Sequence, residues 1–405
     1  MKNVLIVSFI LVLGFTLFFK LFFVQPFSSP LPRSNPVIFA SVQPASTTFP
    51  QVSTINNLGL HVPQNFRIGI FAKNLHNPRD LEFTQGGTLL VSIPSQGKIV
   101  ALPDENKDGA ADKQVEVLSQ LNKPHGIAFF QSKLYVAELT RVVRYSWNET
   151  TLTATQEKVL LNLPYNGGHN TRSLVFNSKG QLFISLGSSC NVCVEKDRWL
   201  ASVIVTDTEG NNPRVFATGL RNSVFLTINP KTDELWAADM GRDNLGDDLP
   251  PDEINIIKDV KDYGWPICFG KQIHDANFDK NVYFRDPCLN TGVPLFEIPA
   301  HSAPLGLTFI NSAQFPSSWQ GDLFVSYHGS WNRSTPTGYK VVHLTYKNNQ
   351  ITSSEDFLTG FLAATAANGP ESALGRPVDL IFDKPGSLYL SDDKAGKLYK
   401  IIHGS

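Results

Sequence analysis

Pro78-Arg79-Asp80-Leu81-Glu82-Phe83, a turn, then Leu89-Leu90-Val91-Ser92: this phrase of a loop and two short apolar strands is written six times along the chain. The second and third copies are Pro124-His125-Gly126-Ile127-Ala128-Phe129 with Leu134-Tyr135-Val136-Ala137, and Thr171-Arg172-Ser173-Leu174-Val175-Phe176 with Leu182-Phe183-Ile184-Ser185. The fourth and fifth are Asn222-Ser223-Val224-Phe225-Leu226 with Leu235-Trp236-Ala237-Ala238, and Pro304-Leu305-Gly306-Leu307-Thr308-Phe309 with Leu323-Phe324-Val325-Ser326. Pro377-Val378-Asp379-Leu380-Ile381-Phe382 with Leu388-Tyr389-Leu390-Ser391 completes the set. Strand units recurring every roughly 45 to 80 residues mark radial repetition. One unit cannot bury both faces of its small sheet; six around an axis can. The expected architecture is all-β, a six-bladed β-propeller over residues 58–405, with function sought at its axial mouth.

Outside the repeats, composition narrows the setting. Lysine and arginine total 35 against 36 aspartates and glutamates, so no basic surface argues for nucleic acid. Residues 4–24 are almost wholly apolar and, as a helix, would cover about 30 Å, enough for a bilayer core. They read as a transmembrane signal anchor, with a cleaved signal peptide as the alternative. Lys2 would stay on the cytoplasmic side and Lys20 would reach the far interface. Residues 25–57, rich in Pro, Ser and Thr, read as a tether, so the propeller is expected outside the cytoplasm, held to the membrane. Four cysteines agree: Cys190 with Cys193 and Cys268 with Cys288 read as two disulfides of an exported protein, since a zinc site would need further close ligands.

Long loops between strands carry the chemistry. Asn166-Gly167-Gly168-His169 precedes the third copy; its glycines allow a tight turn, and His169 is a candidate base, or else a turn cap. Thr218-Gly219-Leu220-Arg221-Asn222 offers a forked cation before the fourth copy. Asp239 to Asn255 gathers five Asp and one Glu among Gly and Pro, a supply of hard oxygens suited to calcium or simply a solvated loop. Tyr327 to Arg333, Thr337-Gly338-Tyr339-Lys340 and Gly375-Arg376-Pro377 add Arg333, Lys340 and Arg376, with Trp331 or Tyr339 as stacking surfaces. Separately, Asp104, Asn106, Asp108 and Asp112 with Gly109 follow the start of an EF-hand loop, though Val115 stands where the bidentate Glu belongs. That stretch reads as a structural calcium site or as an Asp-rich turn.

Gly167-Gly168-His169, Gly187-Ser188-Ser189-Cys190-Asn191-Val192-Cys193, Gly219-Leu220-Arg221-Asn222 and Asp247-Asp248-Leu249-Pro250-Pro251-Asp252-Glu253 together carry a resemblance. So do Tyr263-Gly264-Trp265-Pro266, His328-Gly329-Ser330-Trp331-Asn332-Arg333 and Gly338-Tyr339-Lys340. The chain resembles the sorbosone dehydrogenase-like proteins of the soluble pyrroloquinoline-quinone (PQQ)-dependent glucose or pyranose dehydrogenase family, over the whole propeller. The resemblance implies a calcium-bound quinone across the mouth, oxidising an aldose or related alcohol and passing electrons to an external quinone or cytochrome. It implies His169 as the base while hydride passes to the quinone, and Arg221 stabilising charge on the quinone oxygen. Asn222 and Asn332 would orient the cofactor, and Arg333, Lys340 and Arg376 would engage its carboxylates. Gly246, Asp247 and Asp248 would hold the cofactor calcium through their carbonyls. The glucose enzymes place an Asp where this chain has Gly168. Two other classes compete: a non-catalytic propeller binding carbohydrate or protein, and a metal-dependent lactonase, for which Glu82 and Glu138 are candidate ligands.

Overall fold

All six copies become sheets around one axis. The computed structural model describes residues 53–54, 59–363 and 369–404; the anchor and tether read for 1–24 and 25–57 lie outside them, save Ser53 and Thr54. Blade one is Leu81–Phe83, Leu89–Ile93, Lys98–Leu102 and Val115–Leu118, ordered outward from the axis, and blade two is Ile127–Phe130, Lys133–Glu138, Arg141–Asn148 and Thr153–Asn162. Arg172–Phe176, Leu182–Leu186, Ser202–Thr206 and Arg214–Thr218 form blade three, whose outer edge pairs in parallel with Lys261–Asp262. Blade four is Leu226–Ile228, Leu235–Asp239, Asp252–Ile257 and Phe296–Ile298; blade five is Pro304–Phe309, Leu323–Tyr327, Lys340–Lys347 and Gln350–Leu358. Blade six takes Pro377–Phe382, Leu388–Asp392 and Lys397–His403 from the end of the chain and Phe66–Ala72 from its beginning. This last pairing closes the ring with main-chain hydrogen bonds and leaves no open first or last blade.

The second strand of a blade explains why the repeat is so legible. Leu89–Ile93, Leu182–Leu186, Leu235–Asp239, Leu323–Tyr327 and Leu388–Asp392 are buried at every position. Both faces of each lie against neighbouring blades, so the pattern is a continuous apolar run rather than an alternation. Trp236, fully buried in one such strand, packs edge-on to Phe309 at 5.1 Å and Tyr346 at 5.0 Å, both of blade five. Trp236→Ala removes this wedge, and chemical denaturation should report a loss of about 3–5 kcal/mol.

Inner strands are also latched sideways by polar groups that would otherwise be buried without partners. The Asp80 carboxylate accepts from the Ile127 amide of blade two at 2.8 Å, and Asp379 of blade six accepts from Leu81 of blade one at 2.9 Å. Ser173 Oγ donates to the Val224 carbonyl, and Ser326 Oγ, from the second strand of blade five, to that of Val378 on the inner strand of blade six. At Gly126 the amide donates to the Arg172 carbonyl at 2.7 Å, and a Cβ there would stand 2.4 Å from that oxygen, so only glycine permits the approach. Among the described residues no helix is long and apolar enough to cross a membrane.

Candidate active site at the axial mouth

Loops entering the inner strands and loops leaving the second strands converge on a cavity of about 370 Å³, within the size range of small-molecule sites. Three guanidinium groups line it, Arg79, Arg221 and Arg376, from blades one, four and six. His169, His301 and His328 share the wall, with the amides Asn222 and Asn332, the carboxylates Asp243 and Asp252, and Trp331.

His169 is held by its backbone and by one ring nitrogen. Its amide donates to the Ser188 carbonyl at 3.0 Å, and Nδ1 lies 3.0 Å from both that carbonyl and Ser188 Oγ. Ser188 Oγ spends its only proton on the Cys190 carbonyl at 2.6 Å. Both neighbours of Nδ1 are therefore acceptors, which puts the proton on Nδ1 and leaves Nε2 with its lone pair bare. Burial, reinforced by the positive charge of Arg221, depresses the ring's pKa to about 4, so the imidazole is neutral near pH 7. Gly168, at φ +67°, admits no side chain here: a Cβ would fall 2.3 Å from the Ser189 carbonyl carbon.

Arg221 is almost fully engaged by the protein. Nε donates to the Asn191 carbonyl at 2.9 Å, Nη2 to Asn191 Oδ1 at 2.9 Å and Asp243 Oδ2 at 3.1 Å, and Nη1 to the Met240 carbonyl at 3.4 Å. Of five N–H groups, one on Nη1 has no partner among the described residues and is left for whatever fills the cavity. Its own amide and that of Asn222 cap the buried Asp239 carboxylate, whose pKa burial pushes up to about 6. Among the described residues Asn222 Oδ1 and Asn332 Oδ1 have no partner although buried, an arrangement costly unless a ligand completes it. Asn332 Nδ2 donates to Asp243 Oδ1 at 2.8 Å.

On the opposite wall Arg376 donates from Nε to the His328 carbonyl at 3.0 Å and from Nη2 to the Gly329 carbonyl at 2.6 Å. His328 Nε2 sits 3.0 Å from both oxygens of Asp393, which also pairs with Arg79 Nη1 at 2.7 Å. Although burial raises it, the Asp393 carboxyl is held well below the usual range by His328 and Arg79.

The remaining sequence candidates land elsewhere. Lys340 does not line the cavity; at the start of the third strand of its blade it pairs with Asp356 at 2.6 Å. Arg333 also stays out of the cavity, its Nη1 donating to the Asp247 carbonyl and its Nη2 to Asp248 Oδ1 at 2.7 Å. The carbonyl of Gly246 accepts from His301 Nε2 at 2.8 Å. As arranged, the carbonyls of Gly246 and Asp247 each accept one of these bonds, and Asp248 points to solvent with its side chain 86% exposed. Tyr339 is not a stacking surface: it is buried behind Gly329 with its hydroxyl on the Ser330 carbonyl, whereas Trp331 is 63% exposed. Asp104 caps the amides of Asp108 and Gly109 at 3.1 Å each, and Asp112 that of Glu105 at 2.6 Å, so the acidic stretch with Asn106 forms a self-bonded turn. Glu138 is occupied by Arg141 at 2.6 Å and the Asn122 amide at 2.7 Å, and Glu82 by the Phe129 amide at 3.3 Å, away from any shared metal position. Both disulfides are formed, Cys190–Cys193 and Cys268–Cys288, with Cα atoms 6.2 and 5.8 Å apart. Cys190, Cys193 and Glu195 lie close enough to surround an ion, but the sulfurs are spent on each other. Arg79 and His301 are site residues not singled out from the sequence, and Asp243 was only one oxygen of the acidic loop; Arg79 occupies the pre-strand position that also identified Arg221 and Arg376, so the repeat itself held that signal.

The fold and mouth define a six-bladed propeller with one cation-rich, amide-lined axial site. The chain belongs to the TrAA12-like family, whose model matches residues 60–404. It is 32% identical over 361 residues to an uncharacterised protein of Borreliella burgdorferi, covering 85% of this chain and 91% of that one. It is 25% identical over 402 residues to a pyrroloquinoline quinone-dependent pyranose dehydrogenase of Coprinopsis cinerea, covering 84% of this chain but 54% of that protein, about half its length. The calcium structure of a Trichoderma reesei enzyme of carbohydrate-active family AA12 superposes with a TM-score of 0.74 at 22% identity, over 89% of this chain and 99% of that one.

Proposed function

We propose that this chain is an extracytoplasmic PQQ-dependent dehydrogenase that oxidises an aldose or related alcohol in the axial cavity, with calcium as the quinone's companion ion. One observation carries the reading: among the described residues, a neutral imidazole with a bare Nε2 shares a cavity with three guanidinium groups and two buried, partnerless amide oxygens. The fit is chemical. A planar tricarboxylate calls for several fixed cations and amide groups, which Arg79, Arg221, Arg376, Asn222 and Asn332 offer. For calcium, the buried side-chain oxygens without a partner among the described residues are Asn222 Oδ1 and Asn332 Oδ1, and the Gly246 and Asp247 carbonyls, which accept from His301 and Arg333, each keep a second lone pair.

When bound, the quinone supplies the two-electron acceptor. His169 takes the proton of the sugar hydroxyl at Nε2, while Ser188 keeps the ring in the required tautomer. The single spare Nη1–H of Arg221 stabilises negative charge that develops beside it. Trp331 offers the apolar face of a sugar a flat surface at the rim. The reaction would need an external electron acceptor as its second substrate. The two disulfides support a site outside the cytoplasm, and the apolar residues 4–24 support attachment to a membrane.

The test is to load purified protein with calcium and PQQ and follow dye reduction across a panel of aldoses and alcohols. Quinone- and sugar-dependent reduction is expected. Tight quinone binding with no reduction on any sugar would leave a binding propeller, and lactone hydrolysis without the quinone would replace the reading altogether.

A further inference from the structure

One irregular segment touches both groups assigned to the reaction. In Ser188–Cys193, Asn191 has every polar side-chain atom engaged: Oδ1 accepts from Arg221 Nη2 at 2.9 Å and from the Asp243 amide at 2.8 Å, and Nδ2 donates to the Asp243 carbonyl at 3.1 Å. Its backbone carbonyl accepts from Arg221 Nε at 2.9 Å. Asn191 therefore grips the guanidinium on two edges and ties it to the loop of the Asp243 carboxylate that completes the fork. One residue earlier, the Cys190 carbonyl orients Ser188 Oγ, the acceptor beside His169 Nδ1. No strand holds this segment. It is closed into a four-residue ring by Cys190–Cys193 and pinned by Ser189, whose amide and hydroxyl bond Glu195 at 2.6 and 2.8 Å.

We propose that Asn191, clamped in the ring closed by Cys190–Cys193, is the positioning residue of the site, and that opening this disulfide disables the site while the propeller stays folded. Its catalytic consequence rests on the reaction proposed above; the clamp itself does not. The opening is a two-electron exchange. One thiolate of a dithiol reductant attacks a ring sulfur, the Cys190–Cys193 bond breaks, and the second thiol displaces the mixed disulfide. Two electrons and two protons end on Cys190 and Cys193, and the reductant leaves as its own disulfide. Access favours this bond, because Cys190 and Cys193 are half-buried whereas Cys268 and Cys288 are 3% and 0% exposed. The ring lies outside all six sheets, and the closing strand Phe66–Ala72 is untouched by its opening.

Three preparations test this: Asn191→Ala, Cys190→Ser with Cys193→Ser, and the unaltered chain treated with dithiothreitol. The primary readout is exchange of the Arg221 Nε–H, followed by ¹⁵N NMR in quinone-free protein. Opening the ring should speed this exchange about 10-fold or more, since the protecting carbonyl becomes mobile. In loaded protein, quinone affinity and kcat should each fall about 10- to 100-fold in all three, with KM for the sugar within about 2-fold, as for a lost supporting shell. Unchanged Nε–H exchange in both the double-serine protein and the reduced chain would overturn the proposal, as would unchanged quinone affinity and kcat in an active enzyme. Faster exchange in a chain that neither binds the quinone nor reduces dye would uphold the clamp and remove the proposed reaction instead. If the double-serine protein failed to fold, dithiothreitol treatment and Asn191→Ala still decide the question.

Discussion

Replacing His169 by alanine is expected to lower turnover about 100-fold or more and to leave quinone affinity nearly unchanged. The asymmetry follows from the bonds: Nδ1 is spent on Ser188 and Nε2 on nothing, so the ring anchors no ligand carboxylate. Its amide bond to Ser188 survives the substitution, so the loop keeps its course. The same ring sets a pH dependence. Burial, then the charge of Arg221, hold its pKa at about 4, below the value of about 6.5 it has in an unfolded chain. Base function is therefore present at neutral pH and lost as pH falls through about 4, and the acid limb of kcat/KM should lie there. The stability sign agrees: a histidine depressed on folding contributes fully above its unfolded pKa and loses that contribution as pH falls from there toward the folded value. An acid limb near the unperturbed histidine value would mean that the ring is hydrated in the working enzyme.

Arg221→Ala should cost as much in turnover, about 100- to 1,000-fold, by removal of a preorganised donor, yet with a different companion effect. It also strips partners from Asn191 Oδ1 and Asp243 Oδ2 and leaves Asp243 as uncompensated negative charge facing an anionic ligand. Quinone affinity should fall along with kcat, unlike in His169→Ala. Arg221→Lys keeps the charge, but its single nitrogen cannot span Asn191 and Asp243, so rescue should be small. Steady-state kinetics at saturating quinone, beside a quinone titration, separates the two residues. Full activity in the lysine protein would show that charge alone matters.

The propeller was readable because its signal is local and repeated. Five second strands, such as Leu235-Trp236-Ala237-Ala238, are covered on both faces and so are apolar throughout. The closing strand was not read. Phe66-Arg67-Ile68-Gly69-Ile70 alternates as a strand should, but its pairing with Lys397–His403 spans nearly the whole chain, and no short window contains such a partner. Within the site, His169, Arg221 and Arg376 were legible because the repeat fixes the pre-strand position at the axis. Lys340 is not a pre-strand residue, and it pairs with Asp356 instead. The acidic loop was ambiguous for a physical reason: carbonyls that suit calcium suit His301 and Arg333 equally well, and only geometry chooses between them.

Binding of PQQ to the calcium-supplemented chain, followed by its absorbance and by quenching of tryptophan fluorescence, tests the central claim most directly when the unaltered protein is compared with Arg376→Ala. The account predicts saturable binding at one site per chain, weakened at least about 10-fold by loss of a cation facing a carboxylate. Equal affinity in the two proteins, or no saturation in either, would contradict it.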